Sequence, residues 1–198
     1  MSRIIGCKNL HIAKLTKDDA TGATWEQPVP VKSLISISIT DQKENVTFYS
    51  DDSVEEVIPT FGSKEVSIEL GYLTPEIEAM ISGNTYENGV YTQSANASAK
   101  EFALLFSAPL SRGGERRVCL FKGVLGRDES AYQGKSESVE SSNVTLSGVF
   151  MPLQYDGTIE RRVDTSDTQL DGEGKKLSDA WFTKVPHSTS VVMSAKTK

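Results

Sequence analysis

Apolar and polar side chains alternate with a period of two along several stretches of the chain. In the clearest stretches, at 35–40, 65–70 and 143–147, small polar or acidic residues separate the apolar ones. Successive side chains of a β-strand point to opposite faces of its sheet. The pattern therefore predicts strands with one face on a core and the other in water. More strands are predicted at 10–15, 45–49, 101–107 and 116–123, with a hairpin around Asn88-Gly89.

One helix carries signals at both of its ends. Thr74 fits the N-cap, Pro75 the first helical position and Gly83 the position after the last turn. The apolar side chains between them fall on one face, which predicts a short amphipathic helix that covers one side of a sheet. A second helix is predicted at 177–184.

These elements predict a mainly β protein with one flanking helix and extended arms. We expect a domain over residues 1–157, which includes an N-terminal arm and a long loop between strands at about 50–62. Residues 158–198 are expected to form a C-terminal extension or arm. A chain of 198 residues is long enough for one domain with its own core.

The charge balance argues against a nucleic-acid-binding role. The formal net charge is -6 and the sequence pI about 5.1, whereas tight phosphate binding needs clustered Lys and Arg. No apolar run is long enough to cross a membrane. The two cysteines, Cys7 and Cys119, do not make a disulfide framework and indicate reduced thiols in a protein made in a cytoplasm.

Catalytic, metal and cofactor motifs are not found. The two histidines, His11 and His187, are interpreted as structural or solvent-facing, and with the cysteines they do not form a zinc-site spacing. Gly134-Lys135-Ser136 resembles the end of a phosphate-binding loop, but Glu129 stands where that motif needs its upstream glycine. The sequence therefore predicts a protein that is not an enzyme and holds no cofactor.

The order of several motifs resembles the major tail proteins of long, non-contractile-tailed bacteriophages. Those proteins commonly open with a pattern like that at 6–19 (GCKNLHIAKLTKDD) and continue with a strand like 34–40. The remaining matches are an acidic stretch at 49–52, an alternating strand at 65–70, a capped helix at 75–83, and segments at 121–123 and 150–157. Phe121 stands where the family has tyrosine. The resemblance covers roughly the first 160 residues.

The resemblance implies a virion structural protein. The implied fold is an antiparallel β-sandwich or barrel-like tail tube fold with one flanking helix and extended arms. Subunits of this family form hexameric rings, whose inner strands join into one barrel, and the rings stack into the tail tube. The implied partners are other copies of the chain, the tape-measure protein that the tube encloses, and the tail tip and tail terminator proteins. DNA would pass through the lumen during genome ejection without sequence-specific binding. The implied location is the phage tail, after synthesis in the host bacterial cytoplasm.

Two sets of residues are candidates for roles in such a tube. The polar positions of two alternating strands are predicted to face the lumen as a smooth, negative wall: Ser36, Ser38, Thr40, Glu65, Ser67 and Glu69. The acidic connection is predicted to contact the neighbouring ring through Asp51, Asp52, Glu55, Glu56 and Phe61.

Two alternatives remain open at this point. A tube protein of a contractile injection or secretion system uses a related fold, but it would need a sheath partner. A soluble acidic β-sandwich binding module would be monomeric with a concave aromatic patch, and the aromatic residues of this sequence are spread out.

Overall fold

A computed structural model describes residues 2–50, 53–128 and 143–187, with the backbone alone for 43–61. Strands make up 51% of the chain and helices 10%, and the sheets are antiparallel, which confirms the predicted mainly β class. The elements are β1 (Lys8–Asp19), β2 (Gly22–Trp25), β3 (Val29–Pro30), β4 (Leu34–Ser50), β5 (Ser53–Leu70), α1 (Pro75–Ser82), β6 (Thr85–Glu87), β7 (Val90–Thr92), β8 (Glu101–Pro109), β9 (Glu115–Arg127), β10 (Val144–Phe150), β11 (Glu160–Asp164) and α2 (Gly172–Asp179).

Nine of these strands form one sheet. Its main path runs β2-β1-β8-β9-β10-β5-β4, with β3 paired to β1 and β11 paired to β9. β9 is long enough to pair with two strands in succession: its first half, from Arg116 to Leu120, meets β11, and its second half, from Gly123 to Arg127, meets β10. β6 and β7 form a separate hairpin, whose turn residues Asn88 and Gly89 both have positive φ as predicted.

The sheet curls around a core on one of its faces. Three strands separate β1 from β5 in the sheet order, yet Ile12 of β1 and Ile68 of β5 belong to the same buried cluster. That cluster also takes alternate residues of β8 and β9, such as Phe102 and Leu120, and the buried residues of α1. A twisted sheet that wraps its own apolar face in this way is sandwich-like, and its outer face turns to other surroundings.

Helix α1 forms as predicted. The Thr74 hydroxyl accepts a hydrogen bond from the Ile77 N–H at 3.4 Å, and Gly83 ends the helix in the left-handed region at φ 71°. A Cβ on Gly83 would lie 2.1 Å from the carbonyl oxygen of Ser98, so this position requires glycine for space as well as for its backbone angle.

The C-terminal part differs from the predicted arm. β11 pairs with β9 inside the sheet, and the chain after α2 lies on the outer face of β8 and β9, where Trp181 and Val185 are buried. Leu105 and Phe121, which alternate with residues of the first core, line this second one. Residues 158–187 are therefore part of the folded domain.

The second helix also lies earlier than predicted. α2 spans Gly172–Asp179 instead of 177–184, because the Asp171 carboxylate caps its start by accepting the Gly174 N–H at 2.6 Å. The two glycines in its first turn lower helix propensity and hid this start from the sequence pattern. Residues 180–184 form single turns, in which Lys184 N–H bonds the Ala180 carbonyl at 3.0 Å.

The N-terminal residues lie along the body, whereas an arm was expected there. Ile4 bridges to Leu110, the Ile5 N–H bonds the Pro109 carbonyl at 3.0 Å, and the Ser111 N–H bonds the Arg3 carbonyl at 2.8 Å. These backbone contacts hold residues 3–5 on the turn between β8 and β9.

Candidate assembly surface

The structure brings the six predicted lumen residues together on one surface of the sheet. β4 and β5 pair with Ser36 opposite Glu69, Ser38 opposite Ser67, and Thr40 opposite Glu65. β10 extends this surface on the other side of β5, with Thr145 and Ser147 in register. We call these eight residues the polar face: Ser36, Ser38, Thr40, Glu65, Ser67, Glu69, Thr145 and Ser147.

The polar face exists because the other side of the same strands is buried. Val66, Ile68 and Leu70 of β5 are almost fully buried in the first core, and Ile37 and Ile39 of β4 pack against it. Period-two alternation then places every polar residue between them outward. Whether that outward side meets a lumen or open solvent depends on assembly, so the lumen assignment stays a prediction.

Hydrogen bonds order the side chains at both ends of this face. The Glu69 carboxylate accepts the Ser36 hydroxyl at 3.1 Å and the Asn143 amide at 2.7 Å. At the border with β9, the Ser147 hydroxyl donates to the Asp128 carboxylate at 2.5 Å. The polar face with Asp128 thus carries three carboxylates among hydroxyls, with no lysine or arginine in the set. Such a surface repels phosphate groups, because it supplies no cation to replace their counterions.

β4 leaves one of its two edges without a strand partner. It pairs with β5 over its whole length, and no strand in the described ranges 2–50, 53–128 and 143–187 pairs with its other side. A long strand edge that no other described strand covers is a template for pairing with another chain, and we call it the free edge of β4 in this sense. Pairing of this edge with a strand of another chain would bury its backbone groups, which makes it a candidate contact surface.

The predicted contact loop at 51–62 is largely strand. Asp51 and Asp52 lie outside the described residues, whereas Glu55, Glu56 and Phe61 belong to β5. Glu56 pairs with Phe48 and Phe61 pairs with Lys43, while Glu55 falls at a register shift. The loop prediction was wrong for 53–62 because bulges at two places break the period-two pattern by which strands are recognised.

β4 and β5 continue past the end of the neighbouring strand. β10 pairs with β5 only from Leu70 back to Lys64. Residues 53–63 therefore pair with β4 alone, within the part of the chain that the structure describes. We call this two-stranded extension, residues 42–50 and 53–63, the ribbon. It carries the predicted contact residues Glu55, Glu56 and Phe61 beyond the part of the sheet in which β5 also pairs with β10.

The two histidines, which are the side chains best suited to acid–base chemistry, both lie against other side chains of the fold. His11 is half-buried, with Nδ1 2.9 Å from the Asn9 carbonyl oxygen and its ring against Phe182. His187 is enclosed by the rings of Trp25, Phe121 and Tyr155, with Nε2 3.1 Å from Asp156 Oδ2.

The thiols do not form a reactive pair. Cys119 is fully buried, and burial raises the pKa of its thiol well above the usual value, which keeps it protonated and unreactive. Cys7 is partly exposed, and its Sγ lies 3.6 Å from the Ile35 carbonyl oxygen. Among the described residues, His, Cys, Asp and Glu side chains do not cluster in threes as a metal ion would need. Neither helix in the described segments has the length and apolar character to span a bilayer.

Sequence reasoning missed several residues that complete this surface. Thr145 and Ser147 carry the same alternation as the predicted positions, and that signal would have added them. Asn143 lies in the same alternating stretch, whereas Asp128 gave no signal, because it follows a strand and its contact with Ser147 depends on sheet register. Lys64 was also missed. It is buried at the base of the ribbon, where it contacts Asp41 and Glu160.

A comparison of the sequence with models of protein families and with curated protein sequences finds no match in either.

Proposed function

We propose that this protein is a structural subunit that polymerises as stacked rings into a phage tail tube. In this proposal the tube encloses the tape-measure protein during assembly and forms the channel for genome ejection. The observation that carries the proposal is the free edge of β4, since it borders a polar face on one side of its sheet and an apolar core on the other.

The free edge supports self-assembly on physical grounds. When the outer edge of β4 pairs with a strand of a neighbouring copy, backbone hydrogen bonds replace hydration along the strand and the exposed edge disappears. Repetition of such a contact between two different edges closes into a ring if the rotation permits it. The polar face would then continue from copy to copy as one surface of the ring.

The polar face supports a channel lining more than a binding site. Its hydroxyls are small, and its charged groups Glu65 and Glu69 have the same sign as the bordering Asp128. A recognition surface for DNA would need cations or base-reading side chains at these positions. A wall without them lets a polyanion pass without capture.

Electron microscopy of the purified protein tests the assembly proposal. The protein is concentrated, incubated and imaged by negative stain, with a size-exclusion profile at each concentration. Stacked rings or hollow tubes are expected. A monomer at every concentration, even after a tail-tip complex is added as a nucleus, would contradict the proposal and favour a soluble β-sandwich binding module.

A double substitution tests the acidic wall separately. In tubes of the Glu65→Lys, Glu69→Lys variant we expect duplex DNA to be retained at low ionic strength and released above about 0.2 M salt. Wild-type tubes are expected to retain none. The measurement is cosedimentation of labelled DNA with the tubes. Glu76→Lys, Glu87→Lys is the matched control, since it makes the same change of charge at two exposed residues that lie away from the polar face. Equal DNA retention by wild-type and variant tubes would refute the lumen assignment.

A further inference from the structure

Lys64 stands where the ribbon leaves the body of the sheet. Along β5 from Leu70 toward the ribbon, Lys64 is the final residue with a partner on each side. These partners are Phe150 of β10 and Asp41 of β4. From Ser63 to Ser53, β5 pairs with β4 alone within the described residues. Any motion of the ribbon relative to the body must therefore pass through the backbone near Lys64.

The Lys64 side chain joins three strands at this point. Its ammonium donates a short hydrogen bond to the Asp41 carboxylate on β4, and it lies 2.9 Å from Glu160 Oε2 on β11. Glu160 is held in turn by Arg162, whose Nε lies 2.6 Å from Glu160 Oε1. β5 and β11 are not neighbours in the sheet, so the ion pair links elements that no backbone hydrogen bond connects.

Burial distinguishes this ion pair from a surface one. The side chains of Lys64 and Glu160 are 10% and 11% exposed, whereas the Lys14–Glu26 pair on β1 is 37% and 49% exposed. Burial alone would lower the pKa of Lys64, but the hydrogen bonds that its ammonium donates to Asp41 and Glu160 outweigh this effect and raise the pKa above the usual value. The ammonium is therefore retained, and solvent screens its contacts only weakly.

The ribbon has little else in its backbone pairing to hold it. A two-stranded antiparallel ribbon without further strands or a covering layer is marginally stable in water, because each strand has one partner only. Its direction is set where it joins a rigid body. β11 belongs to that body, since all five of its residues pair with β9.

We propose that Lys64 is a positioning residue, which ties the base of the ribbon to β11 and so fixes the direction in which the ribbon leaves the domain. The use of that direction, to reach the neighbouring ring, rests on the proposed function. The tie itself does not, because it lies within one copy of the chain.

A clamp of this kind has a local effect that a general stabilising contact lacks. Replacement of Lys64 by methionine keeps the length of the side chain and removes its charge, while Glu160 retains Arg162 as a partner. Substitution of a buried ion by an apolar side chain of similar volume often leaves overall stability little changed. Loss of the tie should therefore appear in the ribbon and leave the central strands as they were.

Hydrogen exchange of the unassembled protein, followed by mass spectrometry, tests the clamp. In Lys64→Met we expect the amides of 43–50 and 53–61 to exchange about tenfold faster than in the wild type. The amides of β8 and β9 are expected to keep their protection. Lys14→Met, which removes the exposed ion pair with Glu26, serves as the control and should leave the ribbon unchanged.

Glu160→Gln provides a second, milder variant that removes the charge of one partner and keeps its shape. It should accelerate exchange in the same segments, by less than Lys64→Met. If ribbon exchange is unchanged in both variants, Lys64 does not hold the ribbon. If β8 and β9 lose protection to the same extent as the ribbon, Lys64 supports the whole domain and the proposal is equally refuted. Failure of the wild type to form tubes would refute the proposed function but leave this result intact.

Discussion

Replacement of Trp181 by alanine is expected to lower the free energy of unfolding by about 3–5 kcal/mol, the usual cost of removing a large buried aromatic side chain. Trp181 is 0% exposed and packs in the second core, on the outer face of β8 and β9. Its indole N–H lies 3.5 Å from the Val118 carbonyl oxygen. The deletion leaves a cavity between the sheet and the chain after α2, which the surrounding backbone closes only in part.

Urea unfolding followed by circular dichroism measures this effect. Tyr72→Ala is the matched control, since it also removes an aromatic ring but from a site that is 61% exposed, and its change should stay within about 0.5 kcal/mol. A loss below about 1 kcal/mol in Trp181→Ala would mean that residues 158–187 contribute little to the domain. Residues 158–187 would then behave in solution as the extended arm that the sequence predicts.

The parts of the fold that the sequence predicts are those with local signals. The strands around Ser38 and Ser67 repeat with period two, and the helix after Thr74 has a recognisable residue at each end. In both cases the side chains that define the element lie within a few residues of one another. Burial of one face then selects the register, because a shift by one residue would expose Ile68 and bury Ser67.

The parts that the sequence did not predict depend on contacts between distant residues. Trp181 belongs to a short apolar cluster near the C-terminal end, and nothing in that cluster by itself shows that it docks on the outer face of β8 and β9, where Trp181 is buried. A segment such as 101–107 is apolar at nearly every position because both faces of β8 are covered. That continuous run was a sign that something covers the second face, and the apolar residues after residue 158 were among those available to cover it.

The candidate assembly surface depends both on local sequence patterns and on contacts between strands that are distant in the sequence. Alternation identified Ser36, Ser38 and Thr40 as one set and Glu65, Ser67 and Glu69 as another, and the pairing of β4 with β5 makes them one surface. The free edge of β4 and the extension of the ribbon past β10 could not be predicted, since both follow from the lengths and order of strands in the sheet. These two features are the main support for the proposed assembly. The proposal therefore depends more on the order and lengths of the strands than on any sequence motif.

Asp18 gives the second large expected effect, because its carboxylate ties the loop after β10 to the body. The Asp18 side chain is 3% exposed. Its carboxylate accepts a hydrogen bond from the Lys122 ammonium at 2.8 Å. It also accepts hydrogen bonds from the N–H groups of Gln154 and Tyr155 at 2.9 and 3.1 Å. Replacement of Asp18 by asparagine is expected to cost about 3 kcal/mol at pH 7, because the amide offers one acceptor oxygen in place of two and the Lys122 charge keeps Glu101, 3.7 Å away, as its remaining ionic partner.

The same contacts predict how stability depends on pH. Burial alone would raise the pKa of Asp18, but hydrogen bonds from Gln154, Lys122 and Tyr155 outweigh it and hold the pKa below its ordinary value of 3.8. Because the folded pKa is the lower one, the carboxylate stabilises the fold fully above that ordinary value. This contribution is lost as the pH falls through the folded pKa.

The free energy of unfolding of wild type and Asp18→Asn, measured in urea from pH 7 down to about pH 3, checks this sign. The gap between the two proteins should be widest at neutral pH and should narrow on acidification, because only the wild type has the carboxylate to lose. Glu87→Gln, at an exposed site on β6, controls for the loss of one negative charge. A gap that stays constant across this range would assign the effect of Asp18 to packing and remove its charge from the account of the fold.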